Sequence, residues 1–520
     1  MEATIFKLTP VELRHAVLRP YAIAGVVLIG AGLIVAPPVT APPPRVEVRT
    51  VALTSGDAAG AADPATVALI MSGSGAPTLP PTLFDFVNSF YIQPNFPGAT
   101  AVSLGAPQQL YPLSGVHNGF FDTSVQAGVT ILDDALTRQL ADGNHVVVYG
   151  QSQGATIETL EMEHLASSAH PPNPDQLNFV LTGDPDLPNG GMLERFDFPG
   201  LPSNLTLPSL GVEFYGATPA DTPYPTVIYT GEYDGFADFP RYPIDLLADV
   251  NALLGILYVH VASYFSQSSV DQAFVWQPSP GYDGDTTYYL IPTKDLPLLD
   301  PLRGNPLGNA IADLLQPDLR VLINLGYGPD NVGYGEYPNV STPASGLFPD
   351  VNPLTVLDNL ASGAQQGVHD FVADLTTMSP AGIFSTDPGP TVTPLDLNPG
   401  DVIPALQNVI TDNSNALATL IAAPLDAFMP TVDVGAAVVT ALPEVTSNLV
   451  IAGLGQLAAG DTSAAFTDVT DPIGGTVGLL SIAGFALLEV LDETAQRVTT
   501  AVQSAVTDDM DFIAGLAGLF

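Results

Sequence analysis

The segment VVVYGQSQGATIETLEM, from Val146 to Met162, carries the clearest indication of the fold. Four apolar residues typical of a buried strand lead into Gly-Gln-Ser-Gln-Gly, centred on Ser152, and good helix formers follow. A strand, a tight turn and a helix that begins at a serine are the parts of a nucleophile elbow. The short pattern alone is weak, because a glycine-rich turn can be purely structural. Its position between a strand and a helix favours a catalytic Ser152.

The segments around this motif alternate between predicted strands and predicted helices. Strands are predicted in ATVALIMSGSG, TAVSLGAP, LNFVLTGDPD and PTVIYTGEYD, and helices over 123–143, in ATIETLEMEHLASSA and over 243–265. Such alternation indicates βαβ units. We therefore predict an α/β fold of the α/β-hydrolase type, with a mostly parallel, doubly wound sheet.

Composition excludes several classes of function. The chain has 54 acidic and 12 basic residues and a formal net charge of −42, so phosphate backbones would repel it and no nucleic-acid partner is expected. It has no cysteine, which excludes disulfides, thiolate metal sites and cysteine nucleophiles. None of the seven histidines shows the spacing of a metal hydrolase. We predict no metal and no cofactor.

The N-terminal segment has the pattern of a signal peptide or a membrane anchor. Lys7, Arg14 and Arg19 precede the uncharged apolar run YAIAGVVLIGAGLIVA at 21–36. The run is shorter than the ~20 residues of a usual membrane span. The small residues at its end and just after it, Ala36 and Ala41, each precede a proline, which disfavours cleavage. The interpretation that we favour is an uncleaved anchor followed by a stiff, Pro-rich spacer.

A serine nucleophile needs a base, usually a histidine oriented by a carboxylate. In folds with this elbow, the acid and then the histidine follow the serine along the chain. Asp234, at the end of the strand in PTVIYTGEYD, is the first choice for the acid, and Asp184, after the preceding strand, is the second. His260 is the favoured base, although it could be a structural histidine on an apolar helix face. His369 also follows the acid but lies in a compositionally different tail.

The oxyanion of an acyl-transfer intermediate needs hydrogen-bond donors. One donor is usually the backbone N–H after the nucleophile, which here belongs to Gln153. The other comes from a loop after an early strand, and MSGSGAP supplies such a loop. We select Ser74 within it, although a glycine turn at this place also has an ordinary structural explanation.

Longer motifs resemble a known family. Gly150 to Ala155 resembles the cutinase elbow, and four further runs look like the PE-PPE domain of mycobacterial proteins: GDPDLPNGGMLERF, GATPADTPYPT, EYDGFADFPRYPIDLLADVNALLGILYVH and YYLIPTKDLPLLDPLR. The resemblance covers roughly residues 65–330. It implies a serine esterase with an α/β-hydrolase fold related to cutinases, and a triad of Ser152, Asp234 and His260. The chain departs from the family in its apolar N-terminal segment, which replaces a PE or PPE module, and in Asp184 and Asp186, where asparagine is expected.

These observations predict three regions. Residues 1–44 form the anchor and spacer, 60–340 the hydrolase domain, and 341–520 an Ala-, Pro- and Gly-rich, mainly helical extension without a visible catalytic pattern. The expected function is a serine esterase or lipase that hydrolyses acyl esters of cell-envelope lipids. The alternatives are an acyltransferase between envelope glycolipids and a non-catalytic envelope scaffold. We expect an exported protein, held by its N-terminal segment on the extracytoplasmic side of the membrane or secreted into the envelope.

Overall fold

The computed structural model describes residues 65–198, 201, 204–304, 306–377 and 401–517. The predicted anchor and spacer, residues 1–44, lie outside the described residues.

A seven-stranded sheet forms the centre of the predicted hydrolase domain. Its strands are β1 (Thr66–Met71), β2 (Thr100–Ser103), β3 (His145–Gln151), β4 (Leu177–Thr182), β7 (Thr226–Gly231), β8 (Phe274–Val275) and β9 (Thr286–Ile291), while β5 (Thr206–Leu207) and β6 (Val212–Glu213) form a separate hairpin. The order in the sheet is β2-β1-β3-β4-β7-β9-β8, and every pair is parallel except β8–β9. The prediction of an α/β fold with a mostly parallel sheet is confirmed.

Helices cover both faces of this sheet. They are α1 (Pro81–Val87), α2 (Phe121–Ala141), α3 (Gln153–Ser167), α4 (Leu246–Tyr258), α5 (Pro306–Asn324), α6 (Pro353–Thr377), α7 (Val402–Ala459) and α8 (Thr462–Ala517). Shorter helical turns occupy Asn88–Ile92, Pro174–Gln176, Met192–Arg195, Gln267–Val270 and Pro297–Leu302.

The central strand β3 shows why both faces must be covered. Val146 and Val148 point into the core that contains α2 and α3, whereas Val147 and Tyr149 point into the core that contains α1. All four residues are fully buried. Because side chains alternate along a strand, a continuous apolar run buries both faces of the sheet, and this places the end of β3 inside the molecule.

The secondary structure differs from the one expected from the sequence at two places. The helix predicted over 243–265 ends at Tyr258, because the N–H groups of Val259 and His260 both donate to the carbonyl of Gly255 and close the helix with a wide turn. His260 therefore lies in a turn and not on a helix face. Strand β9 was not predicted, although TTYYLI is rich in the β-branched and aromatic residues that favour strands.

The C-terminal extension packs on the predicted hydrolase domain. Helices α7 and α8 form an antiparallel pair, joined at Gly460 in the left-handed conformation. Asp433 of α7 accepts a hydrogen bond from the hydroxyl of Tyr111 at 2.7 Å, and Ser481 of α8 donates to Asp249 at 2.8 Å. Apolar residues of both helices, among them Val445, belong to the main hydrophobic core. The extension therefore shares one hydrophobic core with the sheet and its helices.

Much of the extension's apolar surface remains exposed. By length and composition alone, Val402–Ala459 and Val469–Phe512 are apolar enough to cross a membrane, yet in the structure about a third or less of the most apolar window of each is buried. Large exposed apolar side chains recur along both, including Leu425, Phe428 and Leu488. Exposed apolar surface of this extent is typical of an interaction surface.

Candidate active site

Ser152 lies in a strained turn between β3 and α3. Its φ of 55° and ψ of −119° are in a region that residues other than glycine rarely adopt. A backbone conformation of this kind typically costs about 1–3 kcal/mol. Two bonds hold it there: the Ser152 N–H donates to the carbonyl of Thr182 at 3.0 Å, and the Ala155 N–H donates to the Ser152 carbonyl at 2.8 Å. Strain of this kind is typical of a nucleophile elbow.

The flanking glycines are required by close backbone approach. A Cβ atom on Gly150 would lie 2.5 Å from the carbonyl carbon of Gly154. A Cβ atom on Gly154 would lie 2.9 Å from the carbonyl oxygen of Ser72, in the loop after β1. Any larger residue would push β3, α3 and this loop apart, so the glycines allow the sharp turn at Ser152.

The structure brings Ser152, His260 and Asp234 into one hydrogen-bonded chain. Nε2 of His260 lies 2.8 Å from Oγ of Ser152, and Nδ1 lies 2.8 Å from each carboxylate oxygen of Asp234. Asp234 comes from the turn after β7, and His260 from the turn after α4. With Nδ1–H donating to the carboxylate, Nε2 is free to accept the serine proton.

Tyr264 is a further member of the site that sequence reasoning missed. Its hydroxyl donates to Oδ2 of Asp234 at 2.6 Å and accepts from the N–H of Gly231 at 2.8 Å. The N–H of Phe236 donates to Oδ1 at 3.0 Å. Burial, and then the Asp234 charge, raise the pKa of Tyr264 well above its usual value, so the phenol stays a donor. The position of Tyr264 four residues after His260, in YVHVASY, was the available signal.

Asp184, the second choice for the acid, lies in a different environment. Its carboxylate accepts a hydrogen bond from the Thr218 hydroxyl at 2.7 Å and one from the Asp186 N–H at 3.0 Å. Burial raises the pKa of Asp184 to about 6, and burial also raises the pKa values of Asp186 and Glu158 well above their usual range. These three fully buried carboxyl groups form a cluster beneath the elbow. His369 is also apart from the site, since it is exposed on α6 beside Asp370.

Two pockets meet at Ser152. The first, which we name the acyl pocket, is lined mainly by apolar side chains, among them Phe121, Met192, Leu210, Phe214, Ile482 and Ala486. The second, on the side of His260, carries polar residues, among them Ser114, Gln151 and Glu489. Both pockets use residues of α8. The extension therefore forms part of the site, although its sequence shows no catalytic pattern.

The two residues selected as oxyanion donors also lie here. Ser74 lines both pockets, and Gln153 lines the acyl pocket beside Ser152. The Gln153 side chain is already engaged, because it accepts from the Ser124 hydroxyl at 3.1 Å and donates to the Gln109 carbonyl at 2.9 Å. Only its backbone amide, at the start of α3, is therefore a candidate donor. Both assignments stay predictions.

One group of described side chains has the composition of a cation site. Donor atoms of Asp133, Glu161 and His164 lie within 4.8 Å of one another, between α2 and α3. Glu161 is nine residues along α3 from Ser152, which corresponds to about 14 Å at the usual helical rise. A cation held there would lie outside the hydrogen-bonded chain of Ser152, His260 and Asp234.

The chain is similar to proteins of one family. A model of the PE-PPE domain matches residues 97–328. Over 465 residues, 88% of this chain and 70% of the relative, the chain is 40% identical to the PPE family protein PPE28 of Mycobacterium tuberculosis. Over 316 residues, 60% of this chain and 57% of the relative, it is 46% identical to the esterase PE16 of the same organism. The chain thus spans just over half of that esterase.

Two more distant similarities extend the comparison. The diacyltrehalose acyltransferase Chp2 of Mycobacterium tuberculosis is 28% identical to this chain, over 59% of the chain and 85% of the relative. Among solved structures, a cutinase-like protein from Cryptococcus sp. is 18% identical, with a TM-score of 0.23 over 34% of this chain and 79% of that one.

The buried carboxyl cluster predicts a dependence of stability on pH. Because burial raises the folded-state pKa of Asp184 from 3.8 to about 6, the folded protein keeps a proton that the unfolded chain loses. This contribution is fully present below pH ~4 and is lost as the pH rises through ~6. We expect Asp184→Asn to remove this dependence on pH. As the pH rises from 4 to 7, the free energy of unfolding of the variant should therefore increase by about 3 kcal/mol relative to that of the original chain.

The measurement is urea unfolding at pH values from 4 to 7. Asp358→Asn, at an exposed carboxylate on α6, is the control and should leave the slope against pH unchanged. Esterase activity of Asp184→Asn should stay within about threefold of the original. Parallel pH profiles for Asp184→Asn and the original chain would contradict the interpretation of the cluster.

Proposed function

Because the chain belongs to the PE-PPE domain family, we propose that it is a serine carboxylic-ester hydrolase that acts through an acyl intermediate on Ser152. The observation that carries this proposal is the hydrogen-bonded chain of Ser152, His260 and Asp234 at the mouth of an apolar pocket. The esterase among the relatives supports it. Catalytic residues on loops at the carboxyl ends of parallel strands are the usual arrangement in open α/β sheets.

In the proposed reaction, His260 Nε2 accepts the hydroxyl proton as Ser152 Oγ attacks the ester carbonyl carbon. The backbone amides of Gln153 and Ser74 stabilise the oxyanion that forms. As the bond to the alcohol oxygen breaks, His260 returns the proton to that oxygen, and the acyl group stays on Ser152. Water then attacks the acyl group with His260 as base, which releases the acid. Asp234 orients the imidazole and stabilises its charged form throughout.

The lining of the acyl pocket indicates the acid part of the substrate. Phe121, Met192, Leu210 and Phe214 leave little polar surface beside Ser152. Each methylene that moves from water into such a pocket contributes about 0.8 kcal/mol of binding. We propose that the substrate carries an aliphatic acyl chain and that it is an envelope lipid, which the exposed apolar surface of α7 and α8 would approach.

Acyl transfer is the second candidate activity. The same acyl intermediate on Ser152 would pass to a hydroxyl group in place of water. The observation that favours this alternative is the second pocket on the His260 side, which leaves room for an acceptor next to the base. The acyltransferase among the relatives supports it. A non-catalytic scaffold is disfavoured, because the serine, the base and the acid lie at hydrogen-bonding distances.

We expect Ser152→Ala to lower the rate by several orders of magnitude, because the covalent route is lost while binding survives. His260→Ala should be nearly as damaging, and Asp234→Asn less so. Tyr264→Phe should cost roughly tenfold, because it removes one charge-assisted hydrogen bond to Asp234. The measurements are hydrolysis of p-nitrophenyl esters and labelling by a fluorophosphonate. His369→Ala is the matched control, and labelling that persists in Ser152→Ala would rule out the assignment.

The length of the acyl chain is testable from α8. Ala486 is buried in the wall of the acyl pocket, so Ala486→Phe should fill space that a long chain needs. We expect kcat/KM for C12 and longer p-nitrophenyl esters to fall at least tenfold relative to the C4 ester. Gly484→Phe places the same ring two residues away in open space and should leave the chain-length profile unchanged. Equal effects of Ala486→Phe on short and long esters would exclude the extension from the acyl pocket.

We further propose that the catalytic region lies outside the cytoplasm, held by residues 21–36. Basic residues before an apolar run favour retention of the N-terminus inside and export of the chain beyond the run. A tethered esterase would meet envelope lipid esters at high local concentration. Protease added to intact cells should therefore cleave the region around Ser152. Protection until the cytoplasmic membrane is broken would overturn this placement.

A further inference from the structure

The two pockets at Ser152 are adjacent, and they differ in the residues that line them beside the serine. The acyl pocket contains Gln153 and the apolar side chains that surround it. The second pocket contains His260, and with it Gln151, Ser114 and Glu489. In the proposed reaction His260 must deliver a proton to the alcohol oxygen or take one from it. The alcohol part of the ester therefore lies on the His260 side, and we name this second cavity the alcohol pocket.

Glu489 is the one carboxylate in the lining of the alcohol pocket. It belongs to α8, far beyond residues 97–328 that the family model matches. It is half-buried and takes part in no hydrogen bond or ion pair within the described residues. A half-buried carboxylate without a protein partner retains its capacity to accept hydrogen bonds from a ligand.

The position of Glu489 is fixed by its neighbours on the same helix. Phe485, one turn earlier, is buried and also lines the alcohol pocket. Val490 is buried against Val116, and Glu493, one turn later, accepts a hydrogen bond from the N–H of Val116 at 3.3 Å. These contacts hold α8 against the loop between β2 and α2, and so they keep Glu489 in the lining of the pocket.

We propose that the C-terminal extension supplies the alcohol-binding subsite, in which Glu489 accepts hydrogen bonds from free hydroxyl groups on the alcohol part of the ester. The ligand is a polyhydroxylated alcohol, such as glycerol or a sugar, esterified at one hydroxyl. This inference rests on the proposed function at Ser152 and applies equally to a departing alcohol and to an acyl acceptor.

The chemistry of a carboxylate selects this ligand class. A carboxylate only accepts hydrogen bonds, and its two oxygens can receive two neighbouring hydroxyl groups. A simple aliphatic alcohol offers no such donor and would leave Glu489 unpaired in a partly dry pocket, which is unfavourable. A site that pairs its polar group with a substrate hydroxyl discriminates strongly against the analogue that lacks it.

The test compares esters that share a decanoyl chain and differ in the alcohol: a glycerol monoester, a glucose monoester and a propyl ester. The quantity is the ratio of kcat/KM for each polyol ester to kcat/KM for the propyl ester, with the full-length protein. Glu489→Leu removes both acceptor oxygens and should lower the ratio at least tenfold. Glu489→Gln keeps one acceptor oxygen and should lower it less. Glu444→Gln removes a charge from α7, outside both pockets, and should leave the ratio unchanged.

Each outcome has a defined meaning. A fall of at least threefold for either polyol ester in Glu489→Leu supports the subsite, and the ester with the larger fall identifies glycerol or sugar as the ligand. A fall below threefold for both overturns it. Melting temperatures establish that both Glu489 variants are folded, and the ratio itself is insensitive to the fraction of active protein. Failure of the proposed function can be told apart from failure of the subsite. If the proposed function were wrong, the original chain and Ser152→Ala would hydrolyse the propyl ester at the same rate.

Discussion

The structure depends on the close approach of β3, α3 and the loop after β1 around Ser152. Gly150 and Gly154 have no room for a Cβ atom there, and the backbone at Ser152, in the turn between them, adopts a positive φ. Strain of this kind persists only where surrounding packing holds it. Here the fully buried apolar run of β3 supplies that packing. The position of the hydroxyl is thus determined by the core of the sheet.

The chain of hydrogen bonds from Ser152 extends beyond its nearest partners. His260 lies in the turn that closes α4, Asp234 lies after β7, and Tyr264 joins this turn to the end of β7 through Gly231. Two separate segments, the turn after β7 and the turn after α4, therefore meet at one buried carboxylate. Satisfied networks of this type are rigid, because every lost bond would leave a buried polar group unpaired. This rigidity fixes the distance between His260 Nε2 and Ser152 Oγ.

The C-terminal extension contributes to the lining of both pockets at Ser152. Without α8, both pockets at Ser152 would lack part of their lining. With α8 docked, Ile482 and Ala486 line the acyl pocket, and Phe485 and Glu489 line the alcohol pocket. A helix outside the family domain can in this way alter substrate preference while the reacting groups stay the same. This is the usual way in which one fold supports many substrates.

Elements that depend on short-range patterns were predictable from the sequence alone. The elbow at Ser152 and the parallel sheet follow from short-range patterns, and the choice of Asp234 and His260 followed from chain order and the scarcity of histidine. Tertiary structure alone decided that Tyr264 supports Asp234, that Asp184 joins a buried carboxyl cluster, and that α8 forms a wall of both pockets. These contacts join residues from different elements, and in the case of α8 they join residues more than two hundred positions apart. No periodicity or motif encodes them, because they depend on how finished helices and strands pack against each other.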